Sequence, residues 1–155
     1  DSKRQLHAYN TIHELFNRNI IPIINENDTV AIDEIQFGDN DQLACDLSEL
    51  LEADDLIILT NHHGLYNKNP EKNMDAILIE QIEDITPEIM ALADDSASKT
   101  SKGGMESKLL AAKRASQSGT NVTIAYGRSQ TIIQECLEGT AKATKIMAKK
   151  DSKND

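Results

Sequence analysis

The 155-residue chain has the length of one ordinary domain, enough for a single sizeable core. Its 39% hydrophobic and 27% charged residues, with seven Gly and three Pro, fit a folded globular protein and exclude a fibrous or disordered one. A formal net charge of -10 argues against a general nucleic-acid binder, which needs clustered Lys and Arg, and no apolar run approaches the roughly 20 residues of a membrane span.

The chain opens at Asp1 without Met and enters at once an amphipathic helix through Leu6, Tyr9, Ile12, Leu15 and Phe16, which reads as a start in mid-fold. Ile20 to Ile24 is a short apolar, β-rich run interrupted by Pro22, predicted as a strand that feeds the polar loop Asn25-Glu26-Asn27-Asp28. Gly38-Asp39-Asn40-Asp41 then precedes Leu43, Ala44, Leu47, Leu50 and Leu51. Asp39 to Asp41 supply capping side chains for a helix running to about Ala53.

Leu56-Ile57-Ile58-Leu59 is a continuous apolar run of the kind buried on both faces of a parallel sheet, predicted as a central strand that stops at Thr60-Asn61. A polar loop with Gly64 and Pro70 follows, then a strand over Ile77 to Ile82 and a short helix from Pro87 to Ala93. Small polar residues from Asp94 to Lys102 lead through Gly103-Gly104 into a helix carrying Met105, Leu109, Ala112 and Ala115. Val122 to Ala125 reads as a strand, Thr131 to Leu137 as a helix, Ala143 to Ala148 as a last strand, and 149–155 as a charged tail.

Alternating strands and helices predict an α/β fold, a three-layer αβα sandwich with a mostly parallel sheet. Ligands of such sheets gather at the carboxyl ends of the strands, here Asn25 to Asp28, Thr60-Asn61 and Tyr126-Gly127. Asn25 to Asp28 and Gly38 to Asp41 offer amides and carboxylates that can hold an amino acid, although turn and capping chemistry accounts for the same residues by composition. Ser101-Lys102-Gly103-Gly104-Met105-Glu106-Ser107-Lys108 is a small loop at a helix N-terminus with a Lys one turn inside, suited to phosphate oxygens, yet a Gly pair before a helix is commonly only a loop. His62-His63 reads as surface loop, since adjacent histidines in an extended segment project oppositely and no third ligand lies at metal spacing; no metal site is expected. Cys45 and Cys136 lie outside any CxxC spacing and, with no apolar signal core at the start, suit a cytoplasmic protein.

The order of the pieces IPIINENDTV, FGDND, LIILTNHHGLY, SKGGMESKLLAAKRA and VTIAYG resembles the glutamate 5-kinases of the amino acid kinase family, over about Ile20 to Ile146. The resemblance implies that Asp28 and Asn40 contact glutamate. It implies that Thr60 and Asn61, with Lys102, Gly103, Gly104, Met105, Glu106, Ser107 and Lys108, contact ATP, and that Lys108 is the catalytic, phosphate-neutralising lysine. ATP with Mg²⁺ and glutamate are the implied substrates, proline biosynthesis the implied pathway, and a homo-oligomer without nucleic-acid or membrane partners the implied assembly.

The sequence departs from the family at Ser101-Lys102, where Gly-Thr is usual, and at Asn61, where a carboxylate is usual. Residues 1–148 correspond to the C-terminal part of the kinase domain. The family's first half, with a Gly-rich loop, a second catalytic Lys and a glutamate-binding Ser, has no counterpart in these residues, so the chain alone is expected to be inactive and prone to self-association through an open strand edge. A non-catalytic amino-acid-binding or association module on the same fold, and a sister kinase with another acidic substrate, are the rival readings.

Overall fold

The computed structural model describes residues 2–25, 39–95 and 104–149. The chain forms two compact units, Asp1–Ile35 and Gln36–Asp155. In the first, helix α1 (Ser2–Asn17) follows the predicted apolar spacing and buries Ile12, with the His13 ring placed between Tyr9 and Phe16 at centroid distances of 4.0 and 6.0 Å. Asn19 ends it in the left-handed conformation (φ 57°). Its N–H donates to Phe16 O and that of Ile20 to Leu15 O, the paired bonds that satisfy the last free carbonyls of a helix.

The strand predicted over Ile20 to Ile24 is not formed. Those residues are irregular, and Ile21 and Ile23 are 87% and 96% exposed. Apolar β-branched composition makes a strand only where a ladder partner exists; none of the described strands pairs with this run, and Pro22 removes one donor from it.

The second unit contains α2 (Asp39–Leu50), β1 (Asp55–Thr60), β2 (Gln81–Ile82), α3 (Pro87–Asp95), α4 (Gly104–Gln117), β3 (Asn121–Tyr126), α5 (Ile132–Glu138) and β4 (Ala143–Ile146). Among the described residues the sheet order is β1-β3-β4-β2, with β1–β3 and β2–β4 parallel and β3–β4 antiparallel. Strand β1, expected at the centre, therefore lies at an end of the described sheet, with Leu59 44% exposed. A continuous apolar run reports how much of a strand is apolar, not which strands flank it.

Helices cover both faces. On one, Cys45 of α2 and Leu109, Ala111, Ala112 and Ala115 of α4 pack with Ile58, Val122, Ile124 and Ile146. The small alanine face of α4 lets its backbone approach the sheet closely. On the other face Ile132 of α5 packs on Ala125 and Ala143. Helices α2, α4 and α5 end as α1 does, through left-handed Glu52, Gly119 and Gly139, although Glu52 lacks the glycine that removes the steric cost of that conformation.

Between β1 and β2 the chain makes a long excursion that the sequence marks only as polar. Leu65 within it is fully buried. Thr144 of β4, also fully buried, accepts a hydrogen bond from Leu65 N–H at 2.8 Å and donates to Ile79 O at 2.7 Å, so one hydroxyl ties both ends of the loop to the sheet. Asn69 shapes its tip, its side-chain oxygen accepting from Glu71 N–H and its carbonyl from Asn73 N–H.

Candidate functional site

The carboxyl end of β1 and the amino end of α4 meet at a cavity of about 170 Å³. Thr60 at the end of β1 and Asn61 and His62 just after it reach the cavity, with Gly104, Met105 and Lys108 from the start of α4. The excursion after β1 closes it with Gly64, Tyr66, Pro70 and Glu71. At the strand end, Gly127 N–H donates to Thr60 O at 2.8 Å and extends the β1–β3 pairing by one residue. Unpaired backbone N–H groups at the start of a helix favour an anion there, and the space lies beside that start.

Lys108 and Asp41 dominate the charge of the site. The Lys108 ammonium donates to both oxygens of Asp41, at 3.0 and 3.2 Å, and the Ser107 hydroxyl donates to the same carboxylate at 2.9 Å. Both charged side chains are largely buried, 17% and 13% exposed, so the carboxylate fixes the ammonium instead of leaving it to rotate in water. A second ionic contact between the same helices lies one to two turns away: Arg114 of α4 donates to Asp46, Glu49 and Gln42 of α2. The hydrogen bond from Arg114 holds the Glu49 carboxyl below the usual carboxylate range, and burial pushes the neighbouring Cys45 thiol up to about 11.

Of the site residues expected from sequence, Thr60, Asn61, Gly104, Met105 and Lys108 line one cavity, and Ser107 binds Asp41 beside it. Asn40 stands exposed in the first turn of α2, next to Asp41 in the chain but not in the cavity wall. Glu106 is exposed and lines a different surface depression with Pro87 and Lys113. Asp28, Lys102 and Gly103 lie outside the described residues.

Four participants were not singled out for the site. Asp41 reads in sequence as a helix cap or as one of the carboxylates of an amino-acid-binding cluster, because nothing local reveals that its partner is Lys108, 67 residues away. His62, expected on a surface loop, is partly buried in the cavity wall, and the His63 ring stacks 5.1 Å from Tyr126. Tyr66 and Glu71 belong to a loop whose path depends on Thr144. Among the described residues no group of three or more His, Cys, Asp or Glu could hold a metal ion.

The sequence matches the family model described as "Amino acid kinase family" over residues 1–126. The chain belongs to the amino acid kinase family. This amino acid kinase chain is 46% identical over 146 residues to a glutamate 5-kinase of Nitrosomonas eutropha, covering 94% of the chain and 39% of that protein. It is 45% identical over 149 residues to a glutamate 5-kinase of Paraburkholderia phymatum, covering 96% and 40%. The chain thus spans about two fifths of the length of the curated relatives it matches.

Among solved structures, the UMP kinase of Ureaplasma parvum is similar at a TM-score of 0.62 and 15% identity, over 90% of this chain and 52% of that one, a likeness of fold alone. The carbamate kinase of Giardia lamblia bound to AMP-PNP is similar at a TM-score of 0.61 and 26% identity, over 90% and 44%. The mixed, mostly parallel sheet with helices on both faces is the amino acid kinase fold expected from the sequence.

Proposed function

We propose that the full-length protein transfers the γ-phosphoryl group of MgATP to the side-chain carboxylate of glutamate, forming glutamyl 5-phosphate for proline biosynthesis. The observation that carries this is the placement of Lys108: a largely buried ammonium one turn inside α4, held by Asp41 at the edge of a cavity at the carboxyl end of a strand. The identity of about 45% with proteins named glutamate 5-kinase supports glutamate as the acceptor.

In this scheme Thr60, Asn61, Gly104 and Met105 hold the nucleotide, with Lys102, Gly103, Glu106 and Ser107 contributing from the same loop and helix. The cavity is smaller than the roughly 300–1,000 Å³ of whole-ligand pockets and suits one part of ATP. Tyr66, Pro70 and Met105 give it an apolar wall, and the start of α4 gives it a phosphate-attracting end. Asp28 and Asn40 bind glutamate. Because Asn40 directly precedes Asp41, one helical turn carries both the substrate contact and the group that holds Lys108.

The glutamate carboxylate is already ionised at neutral pH, so it attacks phosphorus in line without a general base. Lys108 neutralises charge that builds on the transferring oxygens, and the fixed Asp41 contact lowers the reorganisation needed to aim it. Mg²⁺ would come with the nucleotide and would neutralise part of the phosphate charge, since among the described residues no group of three or more His, Cys, Asp or Glu could hold it alone. The protein is read as cytoplasmic and self-associating.

The test is glutamate-dependent ADP release, with trapping of the acyl phosphate by hydroxylamine, on the full-length protein. Formation of γ-glutamyl hydroxamate is expected. ATP turnover that ignores glutamate but responds to another acidic substrate would replace the acceptor.

A further inference from the structure

Helices α2 and α4 meet along a line of polar contacts that ascend together: Asp41 with Ser107 and Lys108, then Asp46 and Glu49 with Arg114, then Glu49 with Ser118. The two helices therefore run parallel, with both starts at the end beside the cavity. The buried side chains are small on both, Cys45 and Ser48 of α2 and, Leu109 apart, Ala111, Ala112, Ala115 and Ser116 of α4. Small side chains make shallow ridges, which specify poorly how far one helix slides along another.

Arg114 supplies what those side chains do not. Its Nε and Nη2 donate to the two oxygens of Glu49 at 3.2 and 2.9 Å, Nη2 also to Asp46 at 2.6 Å, and Nη1 to Gln42 at 2.9 Å. Gln42, Asp46 and Glu49 stand at helical spacing on one face of α2, so a single planar fork grips successive turns and admits one register. Arg114 and Asp46 are 45% and 60% exposed, and ion pairs of such exposure add little stability. What this contact fixes is geometry.

We infer that Arg114 is a positioning residue for phosphoryl transfer: it sets the register of α2 on α4, and with it the contact through which Asp41 aims Lys108. A slide of α2 by one residue, roughly 1.5 Å, would carry the Asp41 oxygens out of their contacts with the ammonium at 3.0 and 3.2 Å. Misplacement on that scale is enough to lose much of a catalytic contact. The inference rests on the proposed role of Lys108.

Steady-state kinetics of full-length Arg114→Met, well below its unfolding temperature, should show kcat about tenfold lower, with the KM for ATP and for glutamate little changed. Arg114→Lys, which keeps the charge but not the fork, should lose nearly as much. Added to Asp41→Asn, Arg114→Met should lower kcat no further, because it acts through the Asp41 contact; a residue that only stabilises the fold would shift the unfolding temperature and leave kcat alone. Exchange of the Lys108 ammonium hydrogens with water, followed by NMR of its labelled Nζ, is a readout independent of turnover. It should be several-fold faster in Arg114→Met and in Asp41→Asn than in the wild type. If Arg114→Met does not fold, Asp46→Ala with Glu49→Ala opens the same contact from α2 and should give the same results. Wild-type kcat in Arg114→Met or Arg114→Lys, losses that multiply with Asp41→Asn, or an unchanged exchange rate would each overturn the assignment. A wild-type protein without glutamate-dependent turnover would instead remove the proposed function, and the Lys108 exchange rate would then decide the register by itself.

Discussion

Asp41 Oδ2 lies 3.0 Å from Lys108 Nζ and 2.9 Å from Ser107 Oγ, so one carboxylate at the start of α2 receives both a cation and a hydroxyl from the start of α4. The pair joins two loops that the sequence presents as separate. In the phosphoryl transfer proposed above, Lys108→Ala should reduce kcat about 10²- to 10³-fold while leaving glutamate affinity nearly unchanged. Asp41→Asn, which preserves shape but removes the charge that fixes the ammonium, should lower kcat in the same sense. Steady-state kinetics with each substrate varied checks both; an unaltered kcat in Lys108→Ala removes Lys108 from catalysis.

Asn40 occupies the next position along the chain and faces solvent. Asn40→Ala should raise the KM for glutamate with little change in that for ATP, and Asp28→Asn should do the same more strongly, a lost hydrogen bond to a charged group being worth about 1.5 to 3 kcal/mol. Calorimetry showing normal glutamate binding by both variants would return these residues to turn chemistry.

Gly64 is held against Thr144. A Cβ at position 64 would come within 2.2 Å of the Thr144 hydroxyl and 2.8 Å of its backbone nitrogen, at a backbone φ of 150° that L side chains rarely adopt. Gly64→Ala should therefore destabilise the chain by about 1–3 kcal/mol, and Thr144→Val, which strands Leu65 N–H without an acceptor, by a similar amount. Thermal unfolding of both variants measures this, and a melting temperature unchanged in either would mean that the loop is not tied to the sheet as described.

Glu49 carries a pH signature. Its carboxyl is depressed, first by the hydrogen bond from Arg114, with burial opposing. A depressed carboxyl contributes stability that is present above its unfolded value, about 4.3, and is lost as pH falls through the lower folded value. The stability difference between wild type and Glu49→Gln should accordingly be largest near neutral pH and shrink below about pH 4. Denaturant titrations at several pH values would show it, and a difference independent of pH would exclude the ionic contact.

The helix α4 was legible because packing on a sheet imposes a 3.6-residue spacing, visible in Met105, Leu109, Ala112 and Ala115, and α1 shows the same apolar period over Leu6 to Phe16. Strand composition was legible and strand neighbours were not. Leu56 to Leu59 announced burial but not a place at the end of the described sheet, and Ile20 to Ile24 announced a strand that has no partner among the described strands. At the site, the helix-start pattern around Gly104 led to Lys108, whereas Asp41 and the loop residues Tyr66 and Glu71 depend on contacts across more than sixty residues. No local pattern encodes those contacts.

The single hydroxyl of Thr144 also sets a clock. With Leu65 and Ile79 both bonded to it, one wall of the cavity cannot swing away on the fast timescale of ordinary surface loops while strand β4 stays in place. The amide of Leu65 should exchange its hydrogen with solvent as slowly as the amides inside the sheet, as part of the same cooperative opening. Any ligand of the cavity then meets a wall that is already assembled, and the ordering of that loop is completed at folding, before the ligand arrives.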